Sequence, residues 1–320
     1  MTAQPITIEV YRALDIIASE GVTKGEPISF ADEIVMDDVF QRANDTQMRT
    51  LTLATGGDGL QSADGAQNTV HIDCCLTFMG PDGATQEALI LVEVSGNTVA
   101  EIFVFPLGEF GAHVDYRLVG VARHTATKRF AEAASGAFAR GTHITLGTGE
   151  MRTIESLQAG DLVLTRDAGK QPVKWIGQTT LRAAGSFAPV VIAKGAMNNE
   201  NDLVVRPDHR LFVYQRRDQL GAGRSEILIK ARHLVDQSTV TRRRGGFVDY
   251  YQLVFDEHHI IFAEGIAAES HLVAPHTRDA LPRDIAATLQ KHSGHQDYEV
   301  KGNLIPAKQA AKLLRKASGG

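Results

Sequence analysis

The sequence predicts a mainly β protein in which an N-terminal antiparallel β-rich domain precedes an all-β second module and a short helical tail. Three observations lead there. Apolar residues gather in short runs rich in Val, Ile, Thr and Phe, separated by Gly/Asp clusters. Helical periodicity is nearly absent until the tail. The charge also changes sign along the chain: residues 1–136 carry 8 basic and 19 acidic side chains, the rest 25 and 19, within a formal net charge of −5. At 320 residues the chain is long enough for two cores. The boundaries expected are 1–122 for the first domain, 123–136 for a linker, 137–275 for the second module and 276–320 for a basic tail.

From the start, 6–10 reads as a strand, followed by Ala/Ile/Leu spacing over 11–18 and an acidic segment over 32–38. Runs at 51–53, 69–78, 88–94 and 98–106 alternate or run apolar between the turn clusters 56–59, 80–83 and 96–97, which predicts a compact antiparallel unit that ends near 116–122. Cys74 and Cys75, the two cysteines, are neighbours on one such run, so their side chains point to opposite faces and are expected to be buried thiols. Gly56 to Gly59 lacks the spacing of a calcium loop and reads as a turn. Residues 124–135, rich in Ala, Thr, Lys and Glu, suit a helix or a tether.

Beyond residue 136 the candidate strands are 143–146, 161–165, 172–176, 190–193, 203–205, 211–214, 226–230, 249–255 and 259–263. Trp175 is expected to be a core or hinge aromatic. Asp161, after Gly160, reads as a turn residue bonding its own backbone. His143, His233 and His271 are taken as surface or packing histidines. Residues 284–292 and 306–317 read as helices, the latter with Ala310, Leu313, Leu314 and Ala317 opposite Lys308, Lys312, Arg315 and Lys316. Such a helix packs on its own domain, or touches an anionic membrane as the lesser alternative.

The stretch around which the rest is organised is Gly136-Ala137-Phe138-Ala139-Arg140-Gly141-Thr142, followed by Glu155, Leu157, Gly160, Asp161 and Val163. Two further blocks lie downstream. One is Val205-Arg206-Pro207-Asp208-His209. The other is Asp256-Glu257-His258-His259-Ile260-Ile261-Phe262-Ala263-Glu264-Gly265. In order and spacing these three blocks resemble the Hint domain, the self-cleaving module of Hedgehog proteins, inteins and bacterial intein-like proteins, over residues 137–274. The resemblance implies an all-β, horseshoe-like module. It also implies a cysteine at the first position, where this chain has Ala137, and a hydroxyl residue three before the histidine, where it has Arg206.

What the resemblance implies chemically is self-cleavage at the 136/137 bond. A thiol at 137 attacks the carbonyl of Gly136, and a histidine protonates the departing amide nitrogen. His209 is the first choice for that acid, with His258 and then His259 as further candidates, and Thr142 and Arg206 belong to the same motifs. The implied substrate is the chain's own N-terminal segment, with water or a small thiol as acyl acceptor. A methyl group at 137 cannot attack, so the chain is expected to stay whole. Either a cysteine has been replaced, trapping the precursor, or the Hint fold is silent and serves as scaffold; the first is the preferred expectation. No His-Asn pair follows Gly265, so full splicing is not expected.

Neither cofactor nor metal is expected: no ligand spacing supports zinc at the histidines. Arg242-Arg243-Arg244 beside Gly245-Gly246 reads as an exposed hairpin loop rather than a nucleic-acid footprint. No run approaches eighteen apolar residues, and the start lacks a basic segment followed by an apolar one, so cytoplasmic residence is the default expectation, with non-classical export left open.

Overall fold

The structure, a computed structural model, describes residues 6–43, 46–56, 59–63, 68–214, 225–290 and 292. It falls into two units, one up to Ala134 and one from Ser135 onward. Among the described residues no helix is long and apolar enough to cross a membrane.

The first unit contains β1 (Ile6–Arg12), β2 (Ile16–Glu20), β3 (Val39–Arg42), β4 (Arg49–Gly56), β5 (Gly59–Ser62), β6 (Thr69–Met79), β7 (Thr85–Ser95), β8 (Thr98–Pro106), β9 (Tyr116–Ala122) and the helix α1 (Ala126–Ala134). Its strands pair in the order β2-β3-β9-β6-β5-β4-β1-β8-β7, and β7 pairs back onto β6, so six strands close into a ring. Closure removes two sheet edges that would otherwise need covering. β6 is the shared member: its start bonds β5 and its end bonds β9, while β7 runs along its whole length. One face of β6, β7 and β8 packs Cys74, Leu76, Phe78, Ile90 and Val104 into a cluster with residues of β2, β3 and β9. Cys75 faces the other way, beside Leu89 across β7, and both are buried. The two sulfurs are free thiols on opposite faces, as alternation predicts. Burial pushes both upward in pKa, that of Cys75 to about 12.

α1 falls within the segment read as a linker, and it packs on β6 and β7. Phe130 sets its ring edge-on to Phe105 at 6.1 Å, and Arg129 bonds Glu87. The spacing Ala126, Phe130, Ala131, Ala133 gives it one apolar face, which packs on the side of the sheet that carries Leu89 and Phe105.

The second unit contains β10 (Phe138–Ala139), β11 (His143–Thr145), β12 (Met151–Thr153), β13 (Leu162–Thr165), β14 (Gly169–Pro172), β15 (Trp175–Arg182), β16 (Val190–Ile192), β17 (Leu203–Val205), β18 (Arg210–Tyr214), β19 (Glu226–Lys230), β20 (Val240–Arg242), β21 (Phe247–Val254), β22 (Ile260–Ala263), β23 (Ile266–Glu269) and α2 (Arg283–Thr288). One sheet runs β15-β21-β10-β17-β16-β20; the other runs β12-β11-β22-β23-β18-β19 with β13 and β14 attached to β22. A single core of residues from both, including Phe138, Val163, Val190, Val205, Leu211, Ile229, Phe255 and Ile261, lies between them.

The predicted strand 172–176 is instead a break: β14 ends at Pro172, β15 begins at Trp175, and buried Val173 forms the corner. Trp175 packs with Val254, Val273, Leu281 and Leu289, and Gly177 lies so near its ring that a Cβ there would stand 2.3 Å from it. The helix expected over 284–292 ends at Thr288, because Leu289 turns extended and drops into that same cluster. His292 then exchanges hydrogen bonds with Val273, donating its N–H to the Val273 carbonyl at 2.9 Å and accepting the Val273 N–H on Nδ1 at 3.2 Å. The predicted helix 306–317 and most of the basic tail lie outside the described residues.

Candidate functional site

Two residues of β10 hold the junction in place. Phe138 pairs with Val205 on one side and Tyr251 on the other, and Ala139 pairs with Tyr250. Ala137 extends this register, its carbonyl accepting the Arg206 N–H at 3.0 Å, and it is 2% exposed. The chain leaves β10 through Gly141, at φ +85°, a left-handed conformation that glycine adopts without strain. Glu155 accepts the Gly141 N–H at 2.9 Å, and the Thr142 hydroxyl donates to the Ala139 carbonyl at 2.7 Å. Thr142 therefore closes the turn behind the junction.

His209 reaches the junction from the segment between β17 and β18. Arg206 to His209 form a turn, the His209 N–H bonding the Arg206 carbonyl at 3.1 Å with Pro207 second in the turn, where its fixed φ suits it. Asp208 is held by Lys230 at 3.4 Å and Arg232 at 3.3 Å. Although burial works to raise its pKa, these cations and Arg206 hold the Asp208 carboxyl below the usual carboxylate range. The turn places the His209 imidazole against Gly136: a Cβ at 136 would stand 2.8 Å from Nδ1 and 3.3 Å from Cγ. The ring also packs on Phe138, centroids 4.3 Å apart. Nothing larger than glycine fits between them without movement.

His209 is 2% exposed, and neither ring nitrogen has a hydrogen-bond partner. Burial pushes its pKa down to about 4; the Glu269 charge opposes this, and Arg210, Arg206 and His258 reinforce it. The imidazole is therefore neutral near pH 7, with a free lone pair inside the protein. Opposite, the Gln252 side-chain amide lies 3.5 Å from the Gly136 carbonyl oxygen.

The remaining sequence candidates separate. His258 lies with its Nε2 3.4 Å from Glu269, whose carboxylate also accepts from the Arg210 N–H at 3.3 Å and the Arg210 guanidinium at 3.2 Å. Glu269, 4% exposed, is pushed upward by burial but pulled further down, to about 2, by Arg210 and the histidines. His258 thus joins the junction through Glu269 and the His209–Arg210 peptide. His259 points elsewhere: its Nδ1 meets Asp167 at 2.9 Å, and Asp167 also accepts the Ile260 N–H at 3.1 Å. Arg206 is buried with its guanidinium over the rings of Phe187 and Tyr250, at 4.8 and 5.8 Å.

His143, read as a surface or packing residue, bonds Glu264, which is 1% exposed and accepts both the His143 N–H at 2.7 Å and its ring Nδ1 at 2.9 Å. His271 is buried with both ring nitrogens unpaired, and burial pushes its pKa to about 3. Gln252, Glu269 and Arg210 were not singled out by sequence. A usable signal existed for two of them: Leu211 pairs with Ala268, so their neighbours Arg210 and Glu269 meet, but only a known pairing of β18 with β23 exposes it. No group of three or more His, Cys, Asp or Glu among the described residues is arranged to hold a metal ion.

A family model described as the Hint domain matches residues 136–275. Among solved structures the chain is similar to the crystal structure of the gp41-1 intein, at 13% identity and a TM-score of 0.26, covering 42% of this chain and 97% of that one. A triply substituted form of the same intein is similar at 13% identity and a TM-score of 0.26, with 42% and 98% coverage. No curated protein matches the chain.

Proposed function

Because residues 136–275 are a Hint domain, we propose that the chain is a self-processing protein whose reactive bond joins Gly136 to Ala137, and that Ala137 holds it as an uncleaved precursor. The observation that carries this reading is the His209 imidazole packed directly against Gly136.

With cysteine at 137, the neutral imidazole accepts the thiol proton, and the thiolate sulfur bonds the Gly136 carbonyl carbon. The imidazolium then donates its proton to the amide nitrogen of residue 137 as the C–N bond breaks, leaving a thioester and a free α-amine. Attack by water releases residues 1–136 as a carboxylic acid and regenerates the thiol; attack by a small thiol transfers the acyl group to that thiol instead. Burial keeps the ring neutral, so its lone pair can take the thiol proton; with a pKa of about 4 that transfer is uphill, and it proceeds as the sulfur bonds the carbonyl carbon. Gln252 faces the Gly136 carbonyl oxygen, where negative charge develops.

Intact mass of Ala137→Cys beside the unaltered chain tests this. The cysteine form alone should yield a fragment ending at Gly136, faster with added thiol, and adding His209→Ala should slow it by about 100-fold or more. If both forms remain whole, the reading fails. A second reading then stands, a Hint fold kept as a scaffold within an interaction protein. It is favoured by Arg206, whose buried, ring-stacked guanidinium takes a packing role where the family's motif has a hydroxyl.

A further inference from the structure

Six consecutive residues, Arg242 to Phe247, are exposed from the end of β20 to the start of β21. Phe247 is 75% exposed, the second most exposed among the large hydrophobic side chains described and more so than any other aromatic residue among them. This turn is firmly held. The Ala183 carbonyl accepts the Gly245 N–H at 2.9 Å and the Ala183 N–H donates to the Gly246 carbonyl at 3.0 Å, the Arg243 N–H bonds the Pro189 carbonyl at 2.9 Å, and the Arg242 guanidinium donates to the Gly185 carbonyl at 2.6 Å. Arg182, also exposed, stands directly across from Phe247 in the β15–β21 register. Segments 182–190 and 240–248 thus build one end of the sheet with four arginines, an outward phenylalanine and no acidic residue in either segment.

A fixed turn that keeps a phenylalanine ring in water leaves apolar area that a less polar surface would take up. The combination of one exposed aromatic side chain with an arginine across the register and three more in the turn before it matches the chemistry of a bilayer surface: the ring sits at headgroup depth and the basic side chains face the phosphates. Single-stranded nucleic acid is a poorer fit, because stacking grooves present successive rings along a track and this end presents one. We propose that the Arg182, Arg242–Arg244 and Phe247 end of the Hint domain docks on a membrane surface rich in anionic phospholipid. The proposal is independent of whether the 136/137 bond is cleaved.

Co-sedimentation of the full chain with phosphatidylcholine vesicles, with and without phosphatidylserine, tests it. The chain should sediment with the anionic vesicles and remain in solution with the neutral ones. The pair Arg243→Glu and Arg244→Glu should weaken binding at least about tenfold, given roughly 1 kcal/mol per basic residue near such a surface. Phe247→Ser should weaken it with the charge unchanged. All three positions are exposed, so folding is checked by an unchanged thermal transition. The proposal is overturned if the chain ignores anionic vesicles, if the variants sediment as well as the parent, which would place binding on another surface, or if the variants lose only binding to a single-stranded oligonucleotide.

Discussion

The imidazole of His209 occupies the space into which any side chain at residue 136 would project. With the nearest atoms at 2.8 Å, 3.3 Å and, for the His209 Cα, 3.4 Å, the ring is close at its root as well as its edge and cannot swing clear by rotating its tip.

Gly136→Ala should therefore destabilise the second unit by about 1–3 kcal/mol through overpacking, read as a lower urea midpoint. In the Ala137→Cys background it should also slow cleavage, since the imidazole is displaced from the bond. An unchanged midpoint would mean that the ring and Gly136 are not in contact.

Glu269 is a buried carboxylate placed between Arg210 and His258. Its removal in Glu269→Ala takes the buried carboxylate from both Arg210 and His258 and should cost about 3–5 kcal/mol. Arg210→Met together with Glu269→Leu should lose far less than the sum of the single changes, which a double-mutant cycle measures.

Acid should begin to destabilise the second unit at a pH above the ordinary carboxylate range. His209, His271 and His292 are held at about 4, 3 and 4 by burial, below the ordinary value of about 6.5. The unfolded chain consequently binds their protons first, so stability is full above about pH 6.5 and falls as pH drops toward 4, by on the order of a few kcal/mol for each fully buried ring. Glu269 runs the other way: its contribution is present above its unfolded value and lost only as pH falls through about 2, so it does not offset the loss in this window. Urea midpoints at about pH 7.5 and about pH 5 should differ, and His271→Phe should narrow the gap.

Gly177→Ala should push the Trp175 ring away from Val254 and Val273, because the introduced Cβ meets the far edge of the indole. Trp175 is the single tryptophan, so its fluorescence reports the change directly. A red-shifted emission with a stability loss of about 1 kcal/mol is expected, since the ring tip can move.

Local pattern was enough for much of the fold. β8, β17 and β19 have the bounds their composition suggests, and the three sequence blocks lie along β10 to β13, the β17–β18 turn and the approach to β22. Pattern could not reveal that β7 returns to β6, since closure depends on pairing between distant runs. Nor could it find β23, whose Ile-Ala-Ala-Glu is short and weakly apolar and is fixed by the Glu264-Gly265 turn, both residues at positive φ, that pairs it with β22. At the junction, Gly136 and His209 stand out by motif. Glu269 does not, because a buried carboxylate looks like a surface one until its cation and histidine are known.

The closed ring of the first unit also sets an order of events during synthesis. β1 bonds β8 through Tyr11 with Val104 and Arg12 with Phe103, so the earliest strand waits for Pro106 before its second neighbour exists. The hairpins β6–β7 and β7–β8 can form meanwhile from adjacent sequence, offering a template that the older strands join. α1 then packs on β6 and β7 from sequence that precedes residue 137, so the first unit can finish folding ahead of the module that follows it.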